Sequence, residues 1–131
     1  MSSLKTLTMG ALFCVATGAY ALPNTPSERL RAFADCAGRF SALEEHQRLF
    51  DGPLSAQTAR QVQFLNDLIA AMLPDAQETG REVLSWRIDA KFAQAALLQQ
   101  AVFGTDNRRA NRAQVLATQY IQGCRSLLPG V

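Results

Sequence analysis

The sequence predicts an all-α domain, an up-down-up-down four-helix bundle stapled by one disulfide, and three observations predict it. Apolar residues recur at alternating steps of three and four, the spacing of one face of a helix. All five prolines fall outside these periodic stretches, where a residue lacking an N–H starts or stops a helix. Two cysteines, Cys36 and Cys124, lie where antiparallel helices would bring them to the same end. No run of β-branched residues reads as a strand, and seventeen alanines beyond residue 21 favour helix.

The first element is a secretory signal peptide over residues 1–21. Lys5 is the only charge before Glu28, and it precedes a ten-residue apolar run, Leu7 to Ala16. Ala19-Tyr20-Ala21 then sets small residues at −3 and −1 of a cleavage point. A run of that length is half of the ~20 residues that cross a bilayer. Cleavage after Ala21 removes 21 of the 131 residues and leaves 110, the single helical domain 22–131.

Four helices are expected, at approximately 27–50, 55–73, 76–103 and 106–128. The first follows Pro23 and Pro26, with Thr25 or Ser27 as its cap and Phe33, Cys36, Phe40, Leu43, Gln47 and Phe50 on its inner line. It stops before Asp51-Gly52-Pro53, and Ser55 caps the second, whose line is Val62, Leu65, Ile69 and Met72. Pro74 ends that helix. Asp75 and Glu78 have capping-box spacing for the third, although Gly80 costs up to ~1 kcal/mol in a helix interior and favours a start nearer Arg81. Its inner line is read as Leu84, Ile88, Ala95, Leu98 and Val102, with Gly104 just past its end. Thr105 or Asp106 caps the fourth, which buries Ala110, Ala113, Ala117, Tyr120, Cys124 and Leu127.

Short connections make consecutive helices antiparallel neighbours. Cys36 and Cys124 then meet, and Gly38 and Gly123 beside them admit the approach that a bridge of ~5.5–6 Å between Cα atoms requires. Cys14 leaves with the signal, so an exported chain keeps an even pair in an oxidising compartment. Periplasm or secretion is the expected location, and no later segment is apolar enough to span a membrane.

Composition excludes two function classes. A hydrophobic content of 48% is too high for a disordered polymer, and 18% charged residues with a net charge of +2 do not suit a nucleic-acid binder. Chemistry-bearing motifs are scarce. His46 is the only histidine, and Leu43 stands where a di-metal bundle needs glutamate three residues before it. No nucleophile elbow and no haem-attachment sequence occurs, so no catalytic residue, metal ligand or cofactor is assigned.

Two features have a plain and a functional reading. Arg108, Arg109 and Arg112 crowd the first turn of the fourth helix, where cations oppose the macrodipole; they read as a site for an anion or acidic partner, or as a solvated end balanced by Asp106. Trp86 and Phe92 read as an apolar contact for a partner or ligand, or as core. The expectation is a small exported protein of non-enzymatic type, a binding or accessory protein for another macromolecule in the cell envelope or outside it. The alternative is a carrier of a small apolar or amphipathic ligand within the bundle.

Overall fold

The structure, a computed structural model, describes residues 25–129. The signal expected over residues 1–21, with Cys14, lies outside the described residues. Among those described there are four α-helices, a single 3-10 turn and no strand: α1 (Pro26–Arg48), α2 (Gly52–Met72), the turn Leu73–Asp75, α3 (Gly80–Phe103) and α4 (Asn107–Arg125). None of the helices is long and apolar enough to cross a membrane.

Each helix starts at a side-chain cap. Thr25 and Glu28 form a capping box, each accepting the other's backbone N–H at 3.1 Å. α2 begins four residues earlier than Ser55 would set it. Asp51 accepts from the N–H of Leu54 at 3.0 Å, and Pro53 sits in the first turn, where its missing N–H leaves nothing unpaired. Ser55 instead donates to the Gly52 carbonyl at 2.8 Å. The expected Asp75–Glu78 box does not form. Glu78 accepts the hydroxyl proton of Ser27 on α1, and Thr79 with Glu82 makes the box one turn later. Gly80 therefore occupies the first helical position rather than the interior. The two Thr79 donors, backbone N–H and hydroxyl, hold the Glu82 carboxyl below the usual carboxylate range.

Helix directions alternate, but the helices do not close a ring in chain order. α1 is central: it packs along α2 and along α3, while α4 packs on α3 and meets α1 far less. Ser27 bonds Glu78 where α1 begins, and Leu49 borders the same notch as Phe103 where α1 and α3 end. These two helices thus run side by side in one direction. α2 and α3 are consecutive, yet they are not among the main packing pairs, which corrects the expectation of neighbours in chain order. The physical reason lies on the inner face of α1. Ala34, Gly38 and Ala42, all buried and four residues apart, let the α3 backbone approach. A Cβ on Gly38 would stand 3.0 Å from the Lys91 nitrogen and closer still to the Arg87 carbonyl oxygen.

That contact also decides which side of α3 is inside. Val83, Ala90, Gln94 and Leu98 are buried, whereas Leu84, Ile88 and Val102 of the expected inner line face solvent. α3 is apolar on two sides, and the side whose backbone at Arg87 and Lys91 lies against Gly38 is the one packed inward. Phe50 and Tyr120, expected inside, are also exposed. The centre of the core is Leu30, Ala34, Ala37, Phe40 and Leu65.

The Cys36–Cys124 disulfide is present, with Cα atoms 5.4 Å apart. Gly38 does not serve it, since Gly38 faces α3, and Gly123 borders open space. The bridge is the firmest link between α1 and α4.

Asp35 is half-buried on α1. Burial pushes its carboxyl above the usual range, Arg31 and Arg39 oppose the rise, and Asp89 adds to it. A raised acid binds more protons folded than unfolded, so its contribution to stability is present below the ordinary carboxylate pKa and is lost as pH rises through the folded value. Asp35→Asn is therefore expected to raise Tm at pH 7 and to lose that advantage near pH 3. Thermal melts of both proteins across that pH range check it.

Candidate functional site

α2 and α4 both lean on the α1–α3 pair rather than on each other, and this leaves a cleft between them. Its middle is a hollow of about 280 Å³ bounded by Leu54, Gln57, Thr58 and Gln61 of α2 and by Arg125 of α4. Arg125 also borders a second hollow of about 160 Å³ toward α1 and α3, lined by Gln47, Gln94, Gln114 and Gln122 among others. Gln57 and Gln61 are shared with an outer groove of about 270 Å³, whose floor is Phe64, Leu128 and Pro129 and whose rim carries Arg60. Six of the chain's eleven glutamines line these three adjoining hollows.

The glutamines are placed by helix geometry. Gln57 and Gln61, like Gln114, Thr118 and Gln122, repeat every four residues and so share a face. Behind them, buried polar groups are satisfied within the fold. Thr58 donates to Gln47 Oε1 at 2.6 Å, and Gln94 Nε2 donates to the Ala117 carbonyl at 3.1 Å. Arg39 donates to Gln94 Oε1 at 3.3 Å, and its guanidinium lies 3.8 Å from the centre of the Tyr120 ring. This network sets Gln94, which is wholly buried, as a fixed wall of the cleft. The lining holds two cations, Arg60 and Arg125, and neither carboxylate, histidine nor free thiol. What it offers a ligand is amide donors and acceptors in a positive field, a lining suited to recognition.

The residues singled out from the sequence are not gathered at this cleft. Asp106 accepts the backbone N–H of Arg108 at 2.9 Å and of Arg109 at 3.1 Å, and its second oxygen lies 3.6 Å from Arg109 Nε. Two backbone donors at that helix end are thus taken by the cap, while the Arg108 side chain is exposed. Arg112 is exposed on the following turn. Trp86 and Phe92 fall on different sides of α3. Trp86 packs partly buried against the core under Arg31, whose guanidinium is 5.2 Å from its ring, and Phe92 is exposed. His46 lies on α1 with its ring 5.0 Å from that of Phe50.

Sequence reasoning passed over Gln57, Gln61, Gln114, Gln122 and Arg125. The available signal was polar residues at helical spacing on two helices, which normally marks a solvated face. Only the packing of the helices brings those two faces to adjoining hollows that meet at Arg125. Compared with protein-family models, with curated proteins and with solved structures, the chain matches none.

Proposed function

We infer that this chain is a non-enzymatic binding protein of an oxidising compartment, periplasmic or extracellular, that holds an extended segment of another protein in the cleft between α2 and α4. The observation that carries this reading is the lining: Gln57, Gln61, Gln114, Gln122 and Arg125 around adjoining open hollows, backed by the internally bonded Gln47 and Gln94, with no carboxylate, histidine or free thiol among them. An extended peptide presents a backbone N–H and C=O at every residue, and glutamine side chains can both accept from and donate to such a chain. Arg125, at the mouth, suits an acidic side chain or a C-terminal carboxylate. The disulfide is compatible with the compartment. The accessory role expected from the sequence takes this form: a partner protein of the cell envelope or its surroundings, held without covalent chemistry.

A second reading, carriage of an amphipathic anion, rests on the outer groove, where Arg60 borders the apolar floor of Phe64 and Leu128. The two are separated by one titration series. Fluorescein-labelled decapeptides of varied sequence, followed by anisotropy, are expected to bind and to lose at least tenfold in affinity with Gln61→Ala and Arg125→Glu. Arg108→Gln should leave binding unchanged. No peptide binding above background would remove the reading, and binding of dodecanoate that depends on Arg60 in its place would establish the second.

A further inference from the structure

α3 has a second apolar face that the fold leaves in solvent. Leu84, Ile88, Phe92, Val102 and Phe103 are 53%, 42%, 69%, 47% and 68% exposed, and Leu49 at the end of α1, beside Phe103, is 73% exposed. Each of these is unexceptional alone; their arrangement is not. Ser85, Ile88, Phe92, Ala95, Gln99 and Val102 follow alternating steps of three and four along about 25 Å of helix, the repeat of a helix–helix seam. Arg81 is the only charge on this line.

We propose that the outer face of α3 is a two-fold, antiparallel interface between two copies of this chain. The seam is self-complementary when Phe92 of one copy is set opposite Ala95 of the other. The same register then sets Ile88 opposite Gln99, Ser85 opposite Val102 and Leu84 opposite Phe103. Large residues meet small ones at the centre, as interdigitating layers require, and each contact occurs twice, as a two-fold axis demands. A notch of about 190 Å³ lies where Leu84 of the second copy arrives, bounded by Leu49, Ala95, Leu98 and Phe103, with Glu45 and His46 on its α1 side. Charge agrees with the register as well. Arg81 comes to the C-terminal end of the other α3, where the macrodipole is negative, close to where Asp106 begins α4. Together these six residues expose on the order of 600 Å² of apolar surface per copy, so covering all of it on both copies buries about 1,200 Å², the lower bound of a specific interface.

Sedimentation equilibrium of the full chain between 1 and 100 μM tests the pairing, and engineered cysteines test its register. The expected species is a dimer, and Phe92→Asp, at an exposed position, should weaken association at least tenfold while leaving the circular dichroism spectrum unchanged. Ser85→Cys combined with Val102→Cys should give a covalent dimer on oxidation. Ser85→Cys alone should not, because the two copies of residue 85 are separated by 17 helical positions, about 25 Å. A monomer at 100 μM overturns the proposal, whether the face is bare or covered by another segment of the chain. So does a dimer indifferent to Phe92→Asp, or one that Ser85→Cys alone cross-links.

Discussion

Removing the Cys36–Cys124 bridge, by reduction or by replacing both cysteines with alanine, is expected to cost about 4.5 kcal/mol of stability. The estimate follows from the 88-residue separation of the two cysteines, which sets the chain entropy released when the unfolded state is no longer cross-linked. A domain of this length has roughly 5–15 kcal/mol in all, so the reduced protein should unfold at much lower denaturant, with part of the population unfolded at 37 °C. The loss will not be uniform. α4 is packed on α3 and meets α1 far less, with the bridge at Cys124 as its covalent tie, so its C-terminal turns should lose amide protection first, while the α1–α2 hairpin keeps its own. Arg125 and Gln122 lie in those turns, and peptide affinity at the cleft should fall with them. Denaturant titration and hydrogen exchange with and without reductant check both parts. An unchanged midpoint would show that the unfolded chain is already compact without the bridge.

Gly38→Ala is the second large effect, and Gly123→Ala supplies its control. Both glycines lie inside helices, where alanine is intrinsically better by about 1 kcal/mol. At Gly123 a Cβ meets nothing within 4 Å, so the substitution should stabilise by ~0.5–1 kcal/mol. At Gly38 the new carbon runs into the Arg87 carbonyl and the Lys91 nitrogen, both main-chain atoms that no rotamer change can clear. α1 and α3 must separate, and the contact of Ala34, Ala42 and Ala90 around them loosens. Overpacking of this kind costs ~1–3 kcal/mol; against rigid backbone at the largest helix contact the upper end applies, for a net loss of about 2 kcal/mol. Two identical substitutions thus have opposite signs. Equal changes in the two denaturation midpoints would contradict the close approach of α1 and α3.

The Gly38 contact also explains why part of the fold was legible and part was not. Helix number, the choice of caps down to Thr25 or Ser27 and Thr105 or Asp106, and the cysteine pair follow from local spacing and from the end-to-end logic of antiparallel helices; Thr25 and Asp106 are the caps formed. The inner side of α3 does not. Leu84-Ile88 and Val83-Ala90 are both apolar at helical spacing, and periodicity has no means of ranking them. The ranking comes from the partner: the α3 backbone at Arg87 and Lys91 lies against Gly38 of α1, and Val83, Ala90, Gln94 and Leu98 are the residues turned inward. The same holds for capping: Asp75–Glu78 and Thr79–Glu82 have equal spacing, and Ser27 on another helix decides between them by engaging Glu78.

The candidate site was less legible still. Its glutamines look like ordinary solvated positions in the sequence, and the residues that stood out there lie elsewhere: Arg108 and Arg109 give their backbone N–H groups to the Asp106 cap, and Trp86 packs on the core. By itself the sequence determined an all-α chain, its four helices to within a few residues and its one disulfide, because propensity, capping and periodicity are local and each acts within a turn or two. Only the tertiary structure decided that α1 is central, that α3 exposes its bulkier apolar face and that α2 and α4 stand apart around a polar cleft. Those outcomes depend on which surfaces fit closest, and closeness is a property of pairs of helices rather than of either one alone.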